Sequence, residues 1–415
     1  MRSRGQVYSR ELLGSSPCYP DVMTKTPRIG LWFAGASAVF FTRAFLFSSW
    51  VSRGPEVQQA LHINTAQMGL LTMLYPAGGL AGILFAGWLV HRFGSRTVNT
   101  AISLVAATSL GFLGFAVESG NFWAACLCLF FMGMPMALND FIGNMEGSAV
   151  DKASKRSLFP AIHGSFGVGM LLAASIASFL IAQNVSIATS FFAAAIFIGV
   201  IAVSAGFAFP EHKTPDVSDA TKAKNKRQAL AVWGEKRSLI LAVLGFSFIM
   251  AEMAAGTWMP IALTNGGYSG AAAASAFGVF WIVITIGRLI GGFIVDLIGR
   301  YRTVLFSAIL TVAGIVIFMT SELTGLQMVG ICVWGLGISL GFPLVVASMG
   351  DDVAMASPRV NMIITVVYIS SITVGPALGA LGQATSIYVA FGIPLVMMII
   401  TAIFSGATKP LVIKK

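Results

Sequence analysis

The sequence predicts an all-α membrane protein in which twelve transmembrane helices form two pseudo-symmetric six-helix bundles. Three observations predict it. Hydrophobic residues make up 56% of the 415 and charged residues only 10%, with a mean hydropathy of +0.84; that leaves too little polar surface to cover a soluble globule of this size. The apolar residues fall in long runs broken by short polar turns, as spans of about 20 residues require. The longest interruption, 210–237, lies near the middle and divides the runs into two similar sets.

Taken in order, spans are expected at 28–50, 63–90, 97–117, 122–149, 158–182 and 187–209, then at 238–263, 271–297, 302–320, 325–349, 357–382 and 385–406. The organisation is a tail (1–27), a first bundle (28–209), a basic linker (210–237), a second bundle (238–406) and a C-terminal tail (407–415). Residues 1–26 lack the short apolar core and small-residue cleavage site of a secretory signal, and Met23 offers an alternative start. All but three of the 26 lysines and arginines, Arg43, Arg53 and Arg288, fall in tails, linker and turns that share one side. The positive-inside rule places that side, with both termini, in the cytoplasm, and it accounts for the net charge of +10 without a nucleic-acid partner. Cys18, Cys126, Cys128 and Cys332 form no Cys-x-x-Cys pair, so neither a disulfide framework nor a zinc site is expected. Gly78 and Gly82, Gly337 and Gly341, and Gly375 and Gly379 have the spacing of tight helix contacts. Pro160, Pro343, Pro376 and Pro394 mark kinks or helix ends.

The turn after the second span reads Gly87-Trp-Leu-Val-His91-Arg92-Phe-Gly94-Ser-Arg96. The turn after the eighth reads Gly292-Phe-Ile-Val-Asp296-Leu-Ile-Gly299-Arg300-Tyr-Arg302. A motif recurring at the same place in each half is an internal repeat. Both copies resemble the loop signature of the major facilitator superfamily, G-x-x-x-D-R-x-G-R-R. The resemblance implies a twelve-span transporter whose loop charges latch the halves together on the cytoplasmic face when the carrier is open outward. His91 stands where that signature has its acid and Leu297 where it has an arginine, which would weaken the latch or make it pH-sensitive through His91. The plainer reading is a pair of positive-inside turns capped by glycine. Trp50-Val-Ser-Arg53-Gly-Pro55, Asp140 to Asp151, His163-Gly and Glu252 to Trp258 resemble the fucose-permease-like branch, particularly YbjJ-type bacterial inner-membrane proteins. That resemblance implies a bacterial inner-membrane location and a sugar-like solute. An acid common in that branch is replaced here by Thr257.

A charged side chain in mid-span costs about 2.5–3.5 kcal/mol on insertion scales, so each one points to a cavity, a partner or a function. Such residues are Arg43 in the first span, Asp140 and Glu146 in the fourth, Glu252 in the seventh and Arg288 in the eighth. Asp140 and Asn144 share one helical face and Asn139, Gly143 and Glu146 another, together a broad polar stripe suited to a hydrated cavity or to an interhelical hydrogen-bond network. Glu252 could load and release a proton in each cycle, or be a standing partner of Arg288 or Arg43. Arg43 must meet a carboxylate, water or an anionic substrate. Trp258 and Tyr75 could stack on a sugar face, whereas Trp50 and Trp123 read as interfacial anchors. For His163, a helix-end hydrogen bond is the simpler role.

These features favour a secondary transporter working by alternating access, moving a small polar solute with protons across the bilayer as a monomer. The alternatives are an organic-anion carrier or exporter using Arg43, and a transport-fold sensor. No phosphate-binding loop is present, so no nucleotide or other cofactor is expected. His-Glu-x-x-His and Gly-x-Ser-x-Gly are absent as well, so the chain is not expected to be an enzyme.

Overall fold

The computed structural model describes residues 28–154, 158–209, 230–352 and 355–411. The tail 1–27, the linker residues Lys213, Lys222, Lys224, Lys226 and Arg227, the turn residues Lys155 and Arg156, and Lys414 and Lys415 lie outside the described residues.

Among the described residues, eleven helices are long and apolar enough to cross a membrane. One of them, Thr65–Glu118, has 54 residues and contains a non-helical residue, Gly94. Both of its ends lie at one face: Thr65 N donates to Gln383 Oε1 at 3.0 Å, and Glu118 Oε1 accepts from Ala188 N at 2.8 Å. The helix therefore crosses, turns at Gly94 and crosses back, supplying the second and third spans and bringing the total to twelve. The others are Ile29–Val51, Phe122–Ser154, Phe159–Ala182 and Ile187–Ala208 in the first half. In the second half they are Lys236–Asn265, Gly270–Ile298, Arg300–Thr320, Thr324–Met349, Ala356–Ala384 and the broken twelfth span, Ile387–Ala390 with Gly392–Phe404.

The repeated motif has the same backbone in both copies. Gly94 has φ 77° and ψ 154°, and Gly299 has φ 79° and ψ 155°. A side chain strains this region of backbone space, so both turns depend on glycine. These turns, with Arg28, Lys152, Lys236 and Lys409, define a basic face; the other ends of the spans define the far face.

One difference from expectation lies in the far-face turn after the first span, which folds into a short helix, Gly54–Ala60. It is anchored by Arg53, only 1% exposed, which donates to Val185 O at 2.7 Å, Ser186 O at 3.0 Å and Glu56 Oε2 at 2.6 Å. Four of the far-face span starts are capped from the sequence itself: Asn64 and Gln67 form a reciprocal capping box, and Ser186, Ser269 and Ser386 each accept a backbone N–H.

The two halves meet along two seams. Near the far face, a Cβ on Gly69 of the second span would strike the backbone of Gly375 and Gly379 in the eleventh, and further along Gly79 faces Tyr368. Between the fifth and eighth spans, Ser178 Oγ donates to Ala271 O at 2.8 Å, Gly278 faces Ala174, and Gly167 faces Thr285. Beyond these points the helices part. At Gly87, Gly164 and Gly292 an added Cβ meets nothing within 4 Å. The core follows the same division: one buried cluster runs through both halves, and a second, around Trp32, Phe40 and Ile142, belongs to the first half alone.

Candidate substrate site

A cavity of about 190 Å³ lies between the halves, where the seams end. Spans from both halves supply its wall: Arg43, Tyr75, Asp140 and Phe166 from the first, Glu252 and Trp281 from the second. Asn144 and His163, further toward the basic face on the fourth and fifth spans, are exposed, and the seams lie on the far-face side of the cavity.

Arg43 pairs with Asp140. Its guanidinium carbon lies 4.8 Å from the Phe166 ring centre and 5.7 Å from that of Phe40, so the cation is held by aromatic faces as well as by the carboxylate. Arg43 Nε is buried with no hydrogen-bond partner. Glu252 accepts from Arg288 Nη2 at 3.3 Å, and Arg288 Nε reaches Ser339 O at 3.4 Å. Of the partners the sequence left open, Asp140 thus takes Arg43, and Arg288 takes Glu252. Asn144 donates to its own helix at Asp140 O, 2.7 Å, and its Oδ1 lies 3.2 Å from His163 Nε2. His163 packs against Phe40 and Phe159, with ring centres 4.3 and 4.6 Å away.

Two expected site residues stand apart. Glu146 is fully buried and accepts from Trp32 Nε1 at 2.7 Å, on the side of the fourth span away from the cavity. Trp258 is fully buried in the packed seventh span and does not line the cavity. The anchor assignment of Trp50 needs correction: it is 1% exposed and lines the cavity, because the Gly54–Ala60 helix covers the far-face end of the first span. Trp123, 74% exposed, matches an anchor. Trp281 and Phe166 were missed; aromatics inside an apolar run give no signal of which way they face.

The motif residues surround the basic-face turns. His91, Arg92 and Asp296 are exposed, and the Arg96 guanidinium carbon lies 4.8 Å from the Phe207 ring centre. Arg300 is bound within its own half, donating to Asp351 at 2.8 and 2.7 Å and to Thr408 O at 2.7 Å. Arg237 joins the same carboxylate at 2.7 Å, and Arg359 donates to Glu235 at 2.7 and 3.1 Å. Burial pushes the Asp351 carboxyl up, but the hydrogen bonds from Arg300 and Arg237 outweigh it and hold the group below the usual carboxylate range. Glu235 is also held low, chiefly by its bond from Arg359.

Twelve spans in two sets, enclosing a largely apolar cavity that carries a few charged groups and is closed by the seams toward one face, define a membrane transporter. The Major Facilitator Superfamily model matches residues 32–376, and the chain belongs to that family. Over 379 residues it is 25% identical to an uncharacterized MFS-type transporter of Yersinia pestis, covering 89% of this chain and 94% of that one. A glucose/galactose transporter of Brucella abortus is 24% identical over 360 residues, covering 82% and 85%. Among solved structures, the nucleoside transporter NupG superposes with a TM-score of 0.77 at 14% identity, covering 91% of this chain and 100% of that one. The Escherichia coli fucose:proton symporter FucP does so with 0.65 at 16% identity, covering 91% and 98%. The fucose-permease-like resemblance is consistent with these matches. The chain is a multi-pass secondary transporter for a small-molecule substrate.

Proposed function

We propose that the chain is a proton-coupled carrier of a small, sugar-like polar solute in the bacterial inner membrane, with its basic face and both termini cytoplasmic. The domains are the two bundles, 28–209 and 238–406, joined by the linker. The observation that carries this reading is the sharing of one cavity by Arg43–Asp140 from the first half and Glu252 from the second, at the point where the halves part. Rocking about that point would expose the same groups to each side in turn, and a carboxylate that exchanges its arginine for a proton is the simplest coupling device such a wall offers. The cavity wall comes from both halves of one chain, which supports a working monomer. A sugar-like solute is supported by the similarity to the glucose/galactose transporter, and proton coupling by the similarity to a fucose:proton symporter.

The test is uptake into proteoliposomes with and without an inwardly directed proton gradient. Saturable uptake stimulated by the gradient, with counterflow, is expected; a conductance or an absence of flux sinks the proposal. Neutralising the coupling carboxylate, by Asp140→Asn or Glu252→Gln, is expected to abolish gradient-driven uptake while preserving exchange of internal for external solute in one of the two variants. Equal loss of both activities in both variants would sink the coupling part of the proposal.

A further inference from the structure

The polar inventory of the cavity is small and lopsided. Its aliphatic hydroxyl groups already donate to their own helices: Thr72 to Gly69 O at 3.0 Å, Thr257 to Met253 O at 2.7 Å and Ser371 to Val367 O at 2.9 Å. Among its described lining residues there is no asparagine or glutamine, the side chains that donate and accept together and so suit a ring of neutral hydroxyls. What the wall presents to an acceptor is one charged donor group, the Arg43 guanidinium, held by Asp140 yet with its Nε unpartnered, together with the unpartnered indole N–H groups of Trp50 and Trp281. Aromatic side chains line the same cavity, Phe47, Trp50, Tyr75, Phe166 and Trp281, and Phe166 lies against the guanidinium itself. A guanidinium binds a carboxylate through two parallel hydrogen bonds, and aromatic faces pack on the C–H face of a small ring or chain.

Charge balance adds a second constraint. Arg43 is balanced by Asp140, and Glu252 by Arg288. An anion entering this enclosure alone would leave one uncompensated negative charge in apolar surroundings, a strongly unfavourable arrangement. One proton on Asp140 removes that charge and frees the guanidinium for the newcomer. The ionisable groups beside the Arg43–Asp140 pair are Tyr75 on the second span, Glu252 on the seventh and Tyr368 on the eleventh, with His163 of the fifth span near Arg43 and Arg288 of the eighth behind Glu252. Arg43 itself holds the Asp140 carboxylate.

Resting on the proton-coupled reading above, we infer that the substrate is a small hydroxylated monocarboxylate, a sugar acid, whose carboxylate replaces Asp140 on Arg43 while Asp140 takes up the co-transported proton. The proton enters from water on the open side, Asp140 becomes neutral, the anion occupies Arg43, and the loaded site carries no more net charge than the empty one. Release on the other side runs the exchange backwards, with Asp140 returning to Arg43 as it loses its proton.

The experiment uses the full chain in proteoliposomes with labelled D-glucuronate, D-gluconate, D-glucose and L-fucose as probes. Wild-type protein is expected to take up one of the acids, driven by an inward proton gradient, with one proton and no net charge moved per anion, and to prefer it to both neutral sugars by about tenfold or more, as loss of a charge-assisted contact predicts. Arg43→Lys is expected to raise the half-saturation concentration for the acid by about tenfold. Asp140→Asn is expected to retain anion exchange and lose its dependence on the proton gradient. Gradient-driven uptake of glucose or fucose in preference to both acids overturns the sugar-acid inference and leaves the proton-coupled carrier standing. Uptake of none of the four, with no thermal stabilisation of the purified protein by any of them, overturns the inference too. Because the wild-type preference and proton count need no variant, a failure of Arg43→Lys to fold does not remove the test.

Discussion

The far face and the basic face hold the molecule together in different ways. At the far face the contacts run between the halves and are made by small residues: glycine against backbone at Gly69, Gly375 and Gly379, and a serine hydroxyl against Ala271. At the basic face, among the described residues, Asp351 gathers Arg237 and Arg300 and Glu235 holds Arg359, all within the second half. A seam of close-packed small residues can separate and re-form without stranding a charge, because little is desolvated that must be paired again. An ion cluster confined to one half makes that half rigid and leaves its motion free. The difference teaches that closure and rigidity are carried by separate parts of this structure, and each can be attacked alone.

The largest expected effect is on the seam. A Cβ at Gly375 would lie 2.5 Å from Gly69 O and 2.6 Å from Thr72 Oγ1, and neither backbone can yield cheaply. Gly375→Val is expected to disfavour the sealed far face by about 3 kcal/mol or more, a shift of roughly a hundredfold between the two states. Spin labels at His62 and Thr385, on the far-face turns, should then report a longer distance and transport should fall in parallel. An unchanged distance distribution would mean that glycine packing does not set the closure.

Much of this comparison is legible in the sequence. The spans stand out because a run of about 20 apolar residues is long enough to cross a bilayer and longer than an uncharged soluble core helix usually is, and the matching glycine turns because they recur at the same place in each half. Arg43, Asp140 and Glu252 stand out as charges in apolar runs, and all three line the cavity. Glu146 stands out equally and faces elsewhere. Six residues from Asp140 on a helix is a rotation of about 120° away from it, so the helical period already separates the two, and the broad stripe drawn through both was too generous. Trp50, Phe166 and Trp281 were illegible as cavity residues, since an aromatic among aliphatics carries no mark of whether it meets lipid, helix or void. The pairing of Glu252 with Arg288 depends on the register of two neighbouring helices, which a single sequence does not specify.

A smaller effect is expected from the ion cluster. Asp351→Asn removes the charge that Arg237 and Arg300 share, at a cost of roughly 2–3 kcal/mol in a partly buried setting. Because Asp351 is held below the ordinary carboxylate value in the folded chain, its contribution is fully present above that ordinary value of about 4 and fades as pH falls through the lower folded one. Thermal unfolding in detergent should therefore show the variant destabilised at neutral pH, with the difference from wild type narrowing below pH 4. The separation of closure from rigidity requires that the His62 to Thr385 distance stay unchanged in this variant. A lengthened distance would show that the cluster also takes part in closure.

The smallest effect probes the repeat on which the comparison of halves rests. Gly94 and Gly299 share backbone angles that L side chains rarely adopt, and an added methyl at either meets nothing within 4 Å. Alanine there should cost backbone strain alone, on the order of 1–2 kcal/mol, with no packing contribution. Since the two conformations agree, Gly94→Ala and Gly299→Ala should lower the unfolding midpoint by similar amounts, even though only the second turn leads directly into the Arg300–Asp351 cluster. A clearly larger loss at Gly299 would mean that the turn and the ion cluster are coupled, and that the rigidity of the second half begins in its backbone rather than in its charges.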